Sequence, residues 1–270
     1  MPELPEVEVT RAGITAHISG NTITRSVAHS ADLRWPISPE LTTVLPGQTV
    51  QSVQRRGKYL LLHCQVGSLL IHLGMTGYLK IVSTATTREK HDHFDLDFHD
   101  GKVLRLNDVR RFGAVIWTGS EPQTHELLAE LGPEPLTEGF DGSYLFHKSR
   151  GRKLAVKQFL MDQKVVAGIG NIYANEALFH AGIHPTTAAG SLTESRTRQL
   201  VTAIKAVLIA SIKVGGTMLD FRDGTEKTGY FHQELAVYRR AGEPCAVCAT
   251  PIQFEKLGQR SNYFCHRCQS

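Results

Sequence analysis

The stretch CAVCATPIQFEKLGQRSNYFCHRC, residues 245–268, contains four of the five cysteines in this 270-residue chain. Cys245 and Cys248 form one pair, Cys265 and Cys268 form a second, and 16 residues separate the pairs. This spacing is typical of zinc sites in which two short knuckles supply a tetrahedron of thiolates. Disulfides and coincidence are the alternatives. We expect one structural zinc ion on a small hairpin, because four sulfurs leave no ligand position open.

The first half of the chain is patterned as β-structure behind a short helix at residues 6–18. Glycine-bounded or alternating apolar runs predict strands at residues 58–64, 68–73, 93–99, 102–106 and 114–117. Asp100-Gly101 separates two of these runs and predicts a type I′ hairpin turn, which needs positive φ at both residues. Several short strands with turn signals favour a β-sandwich or a barrel.

Beyond residue 119 the pattern becomes helical. Helices are predicted at residues 125–131, 154–165, 171–181 and from 191 onward. Asn171 is the expected cap of the third, and Ser191 with Glu194 forms an expected capping box for the fourth, which Gly215-Gly216 ends. The predicted division is a β-domain at 1–132, a linker at 133–150, a helical domain at 151–235 and a cysteine module at 236–270.

Composition narrows the class of protein. The apolar fraction of 41% and the charged fraction of 21% are those of a globular chain, and no apolar run is long enough to span a membrane. Acidic residues near the N-terminus argue against a signal peptide, so we expect a cytoplasmic protein.

The net charge is only +4, but basic residues concentrate at 102–113, 147–164 and 236–270. These segments form either one polyanion-binding surface or separate solvated faces.

Met1-Pro2 offers a specific chemistry. A small second residue permits removal of Met1, which leaves Pro2 with a free secondary amine that titrates near pH 8. Such an amine attacks an electrophilic carbon and forms an iminium that acts as an electron sink. Glu3 and Glu6 lie beside it as candidate general acids. An ordinary polar N-terminus is the alternative.

The chain resembles the formamidopyrimidine-DNA glycosylases at motifs spread along its whole length and in the family's order. They are PELPEVE at 2–8, RRGKYL at 55–60, HLGMTG at 72–77, NDVRRFG at 107–113, GIGNIYA at 168–174 and the cysteine stretch with QRS at 259–261. The resemblance implies an α+β multidomain fold. Its parts are an N-terminal β-sandwich, a helical domain with a helix-two-turns-helix, and a C-terminal four-cysteine zinc finger hairpin.

The resemblance also implies catalytic residues. Pro2 is the expected nucleophile on C1′ of the damaged nucleotide, with Glu3 as general acid. Lys58 matches the lysine assigned to β-elimination, although a phosphate contact is a plain alternative. Arg260 matches the arginine assigned to δ-elimination. An arginine is a poor proton donor, so gripping phosphate is the physically easier role. Glu6 orients the sugar or the amine, or has a structural role.

Chemistry on a base requires its removal from the stack, and the vacated space must be filled. Met75, Arg110 and Phe112 match the family's inserted triad, while core packing is the alternative for Met75 and Phe112. Arg111 is either a phosphate contact or part of a structural ion pair. His91 and Arg152 match DNA-contacting positions of the family. Lys157 and Asn171 lie on either side of a helical turn, where backbone amides at the start of the helix predicted from residue 171 form an expected anion site and Asn171 adds a side-chain donor. For His91, a solvated His-rich loop is the alternative. Residues 221–229 match a loop that covers the flipped base.

The leading hypothesis is therefore a bifunctional DNA glycosylase and abasic-site lyase for 8-oxoguanine and formamidopyrimidines, acting as a monomer on double-stranded DNA near the bacterial nucleoid. An endonuclease VIII-like enzyme for oxidised pyrimidines is the alternative within the superfamily. A non-catalytic zinc-ribbon DNA-binding protein predicts that Pro2 is dispensable. A metalloenzyme at the cysteines is disfavoured, because the expected four-sulfur site is closed.

Overall fold

The computed structural model describes residues 2–30, 33–216 and 235–270. These residues form two compact units, one of residues 2–129 with 214–216, the other of residues 130–213 with 235–270. Within those ranges no helix is long and apolar enough to cross a membrane.

Two four-stranded antiparallel sheets form most of the described part of the first unit. The first has the order β2 (Ser52–Arg56), β3 (Tyr59–His63), β4 (Ser68–His72) and β8 (Ala114–Trp117). The second has the order β1 (Ile23–Ala28), β6 (Asp92–Phe98), β7 (Lys102–Asn107) and β5 (Tyr78–Ser83). Apolar residues of both sheets and of helix α1 (Leu4–Ile18) share one core, which confirms the predicted β-sandwich. The described part of this unit also contains two short helices, α2 (Leu41–Val44) and α3 (Glu126–Ala129).

The strands β1, β2 and β5 were not predicted, because polar residues interrupt their apolar patterns. The hairpin between β6 and β7 forms at the predicted place with a different turn. Gly101 donates its N–H to the Phe98 carbonyl at 3.1 Å, and Gly101 has φ 79°, whereas Asp100 does not have positive φ. The predicted type I′ turn is wrong, and the connection is a three-residue loop that ends on a left-handed glycine.

Helix α1 begins at Leu4, two residues before the predicted start, because Glu3 and Glu6 cap it reciprocally. The Glu3 carboxylate accepts the backbone N–H of Glu6, and Glu6 Oε2 accepts the backbone N–H of Glu3 at 2.9 Å. This capping box satisfies two backbone donors that the first turn leaves unpaired.

The second unit contains α4 (Gly142–Ser149), α5 (Val156–Met161), α6 (Asn171–His180) and α7 (Glu194–Lys213) around its own core. Helix α5 is shorter than predicted, since Asp162 is already extended. The predicted capping box of Ser191 and Glu194 is wrong. The Thr193 hydroxyl accepts the Arg196 N–H at 3.2 Å, while Ser191 lies in a 3₁₀ turn.

Strands β9 (Gln253–Leu257) and β10 (Arg260–Phe264) form the expected hairpin of the cysteine module. Glu176, on α6, holds the chain that enters this module, because its buried carboxylate accepts the backbone N–H groups of residues 236–238 at 2.7–3.0 Å. The sequence pattern did not single out Glu176, and its only signal is that it is the one acidic residue in α6.

Candidate active site and metal centre

The four cysteines of the C-terminal module converge on one point. Their sulfur atoms all lie within 4.8 Å of one another, and the Sγ–Sγ distances are 3.9 Å for Cys245–Cys268 and 3.5 Å for Cys248–Cys265. Sulfur ligands about 2.3 Å from a tetrahedral zinc ion are separated by nearly the same distances. All four are free thiols, so the disulfide alternative is wrong. The donor set fits one closed, structural zinc site.

Pro2 is buried immediately before α1, where the capping box fixes the backbone of Glu3. Glu3 and Glu6 are 1% and 0% exposed. Gly216, with φ 95°, comes so close that a Cβ there would lie 3.1 Å from Glu6 Oε1. Glu6 pairs with a backbone amide in a tightly packed site, which favours the structural role. Met1 and residues 221–229 lie outside the described residues.

Lys58 lies at the second position of the two-residue turn between β2 and β3. Arg56 pairs with Tyr59, and Gly57 has φ 56°, which suits the first position of a type II′ turn. Lys58 is half-buried. Burial, and after it the cations of Lys58 and Arg34, lower the pKa of His72 to about 4. The turn therefore places a cation near a neutral imidazole.

His72 begins the HLGMTG motif at 72–77, but the sequence does not indicate a functional role for it. Its Nδ1 accepts the Gly74 N–H at 3.1 Å, which fixes the neutral tautomer with the proton on Nε2. Its ring lies 4.7 Å from that of Tyr59 between centroids. His72 thereby links the Lys58 turn to the loop that carries Met75.

The proposed wedge residues lie on two loops of the first unit, at residues 73–77 and 108–113. Phe112 is 40% exposed and Arg110 is also exposed, with its guanidinium 4.7 Å from the Phe112 ring centroid. Core packing is thus excluded for Phe112, and Met75 is half-buried. Arg111 is exposed and has φ 56°, which turns the chain between Arg110 and Phe112.

His91 does not belong to a solvated loop. It is half-buried, its ring meets that of His93 edge-on, and its carbonyl accepts the Asp108 N–H at 3.0 Å. His93 is 2% exposed and its Nε2 lies 2.9 Å from the Asp108 carbonyl oxygen. Only His99 fits the description of an exposed histidine in this group.

In the second unit, Arg260 is exposed at the tip of the β9–β10 hairpin, and two contacts fix the hairpin behind it. Lys157 is 1% exposed and donates from Nζ to the Ser261 carbonyl at 2.5 Å. Asn175, on α6, accepts the Tyr263 N–H at 2.9 Å. A cavity of about 240 Å³ lies between α5 and the tip, with Arg260 and Asp162 in its wall.

Asn171 is the first residue of α6, not its cap, and the cap position is Gly170. Its side chain is 9% exposed, and its Oδ1 has no hydrogen-bond partner within the described ranges. Gln163 shapes the preceding turn, since its Oε1 accepts the Gly168 N–H and its Nε2 donates to the Ile169 carbonyl, both at 2.8 Å. Arg152 is exposed between α4 and α5.

Three family models match the chain. They are described as the formamidopyrimidine-DNA glycosylase N-terminal domain at residues 1–115, the H2TH domain of that enzyme at 131–223, and the zinc finger found in FPG and IleRS at 242–270. The third match agrees with the cysteine geometry, so residues 242–270 form a zinc finger.

Similar proteins cover the whole chain. Formamidopyrimidine-DNA glycosylases of Idiomarina loihiensis and Yersinia pestis are 53% and 55% identical over 270 residues, with 100% of each chain covered. The crystal structure of Lactococcus lactis Fpg with DNA containing Fapy-dG has a TM-score of 0.90 at 35% identity and covers 99% of both chains. The same values hold for that enzyme with DNA containing an oxidised pyrimidine. These matches confirm the predicted fold, including the helix-two-turns-helix domain.

Proposed function

We propose that this chain, which belongs to the formamidopyrimidine-DNA glycosylase family, excises oxidised purines from double-stranded DNA and then cleaves the strand at the abasic site. Membership at 53–55% identity over the whole chain makes it a DNA glycosylase of DNA repair. The lyase step and the preference for 8-oxoguanine and formamidopyrimidines are the proposed part. As a bacterial repair enzyme it is expected in the cytoplasm with the chromosome.

The observation that carries the proposal is the fixed N-terminus. Removal of Met1 gives Pro2 a secondary amine at the start of a helix whose first turn is locked by the capping box of Glu3 and Glu6. The amine attacks C1′ of the damaged nucleotide, and the glycosidic bond breaks as the base leaves with a proton from an acid. Glu3 is the proposed donor.

The resulting iminium explains strand cleavage. Nitrogen loses its proton when the C1′ bond forms, and opening of the sugar ring gives a cationic C=N group that withdraws electrons. A base then removes a proton from C2′, and the C3′–O bond breaks to release the downstream strand with a 5′ phosphate. A second elimination removes a proton from C4′ and breaks the C5′–O bond, which leaves the upstream strand with a 3′ phosphate. Lys58 and Arg260 are proposed to assist these eliminations.

The proposed DNA surface uses the two units separately. Exposed Arg152 and Arg260 suit phosphate contacts. His91 and Asn171 are further proposed DNA contacts, and each has one buried polar atom, Nδ1 and Oδ1 respectively, without a hydrogen-bond partner in the described residues. Lys157 is engaged with Ser261, so its proposed contribution to DNA binding is to hold the hairpin that carries Arg260. Met75, Arg110 and Phe112 fill the space that the flipped nucleotide leaves.

An endonuclease VIII-like preference is the second candidate, because one similar structure contains DNA with an oxidised pyrimidine. Borohydride trapping on two duplexes separates the candidates, one with 8-oxoguanine opposite cytosine and one with an oxidised pyrimidine. We expect a covalent adduct on the first duplex that disappears when Met1 is retained. Pro2→Gly is a weaker control, since glycine keeps a primary amine.

An adduct that forms only on the duplex with the oxidised pyrimidine would contradict the proposed preference for oxidised purines and favour the endonuclease VIII-like candidate. Binding of both duplexes without an adduct would contradict the enzyme mechanism and favour a non-catalytic DNA-binding protein.

A further inference from the structure

We propose that Thr76 and Asp108 are positioning residues that fasten the Met75 loop to the Arg110–Phe112 loop, so that the three side chains enter the duplex as one unit. This inference rests on the proposed function of those side chains as a wedge. The clamp itself is defined by contacts within the first unit.

The Thr76 hydroxyl joins the two loops in both directions. It donates to Asp108 Oδ1 at 2.6 Å and accepts the backbone N–H of Arg110 at 3.0 Å. The other carboxylate oxygen of Asp108 accepts the Gly113 N–H at 2.8 Å. One hydroxyl and one carboxylate therefore hold the loop of residues 108–113 near both its ends.

The backbones of the two loops are also in direct contact, which restricts movement of one loop relative to the other. A Cβ at Gly74 would lie 2.4 Å from the Phe112 carbonyl carbon, and one at Gly113 would lie 2.8 Å from the His72 carbonyl oxygen. Gly74 also has φ 60°. Such contacts permit only glycine, so the loop carrying Met75 lies against the backbone of Phe112.

Asp108 is itself anchored to the sandwich. Its side chain is 0% exposed, its N–H donates to His91, and its carbonyl oxygen lies 2.9 Å from His93 Nε2. Through Asp108, the clamp therefore connects the two loops to His93 on strand β6 and to His91 just before that strand. Loops that are ordered before binding lose less conformational entropy when they insert into DNA.

The test compares Thr76→Val, which removes the hydroxyl at nearly constant volume, with Thr76→Ser, which keeps it. We expect Thr76→Val to lower excision of 8-oxoguanine from a duplex about tenfold, which corresponds to about 1.4 kcal/mol. Cleavage of a preformed abasic site needs no base to be removed from the stack, so it should fall less than about twofold. Thr76→Ser should restore excision.

Thr118→Val is the matched control, because the Thr118 hydroxyl donates to the Ser68 carbonyl in the same unit without joining these loops. Equal losses of excision and abasic-site cleavage in Thr76→Val, or no loss of either, would overturn the positioning role. Hydrogen exchange separates this result from failure of the proposed function. If wild-type protein excises nothing, faster exchange of the Arg110 amide in Thr76→Val still tests the clamp.

Discussion

Lys157, on α5, donates from Nζ to the carbonyl oxygen of Ser261, on β10, although 104 residues separate them in sequence. A buried ammonium normally costs free energy, and this one gains a charge-assisted hydrogen bond to the residue next to Arg260. The contact therefore couples the helical core of the second unit to the hairpin tip.

We expect Lys157→Met, which keeps much of the packing volume, to leave the Ser261 carbonyl without this donor. Loss of one partner of a buried, charged hydrogen bond costs about 1–3 kcal/mol of folding free energy. If Arg260 assists δ-elimination, the product of β-elimination should accumulate. Urea denaturation and the ratio of the two cleavage products measure the two effects.

Lys153→Met is the control, because Lys153 is exposed on the segment that leads into α5. An unchanged unfolding free energy and product ratio in Lys157→Met would show that the hairpin does not depend on this contact.

The Lys157 contact also shows where sequence interpretation ends. The cysteine spacing predicts a metal site, and the alternating run at residues 93–99 predicts a strand. Both signals are local in the sequence, and both predictions are confirmed. A basic residue in a basic segment indicates solvent or phosphate equally well. Its burial depends on a hairpin 104 residues away, which no local pattern reveals.

Local signals also fail where two capping residues compete. Ser191 and Glu194 have the spacing of a capping box, yet Thr193 accepts the amide of the first turn, because a 3₁₀ turn takes up residues 189–191. At the N-terminus, Glu3 and Glu6 form a capping box from residues that the sequence assigned to chemistry. A carboxylate suits either role, and the spacing alone did not indicate that these two also cap the helix.

His72 gives a pH dependence with a definite sign. Burial first, and then the cations of Lys58 and Arg34, lower its pKa from 6.5 to about 4. Above about pH 6.5 the imidazole is neutral in both the folded and the unfolded chain. As the pH is lowered from 6.5 to 4, the unfolded chain binds a proton at this imidazole while the folded chain does not. The free energy of unfolding therefore decreases as the pH is lowered through this window.

We expect His72→Gln to flatten this dependence, by up to about 3 kcal/mol between pH 7 and pH 4. His99→Gln is the control, since His99 is exposed. Urea denaturation across the window measures both variants. A wild-type curve whose slope persists unchanged in His72→Gln would assign the acid sensitivity to other groups.

Removal of zinc should unfold the C-terminal module and leave the sandwich intact. The hairpin of β9 and β10 is short and its core is small, whereas the first unit has its own large core. Zinc binding therefore supplies much of the folding free energy of the module. Chelation should release one zinc ion per chain and sharply weaken DNA binding, as measured by metal analysis and fluorescence anisotropy.

Cys248→Ser should reproduce the effect of the chelator, whereas Cys64→Ser should retain one zinc ion, because Cys64 lies buried in the sandwich. Full cleavage activity in metal-free protein would contradict a role for zinc in the DNA-binding surface.

The affinity for DNA should fall steeply with salt, because the proposed contacts are mostly from arginine to phosphate. Each neutralised phosphate contributes a slope of about −0.9 in the dependence of log affinity on log salt concentration. Arg152→Ala should weaken binding and make the slope shallower by about one. Arg198→Ala is the control, since Arg198 is exposed on α7 in an ion pair with Glu194. Titrations of an undamaged duplex at several salt concentrations measure the slope, and a flat response in the wild-type protein would contradict a phosphate-binding surface.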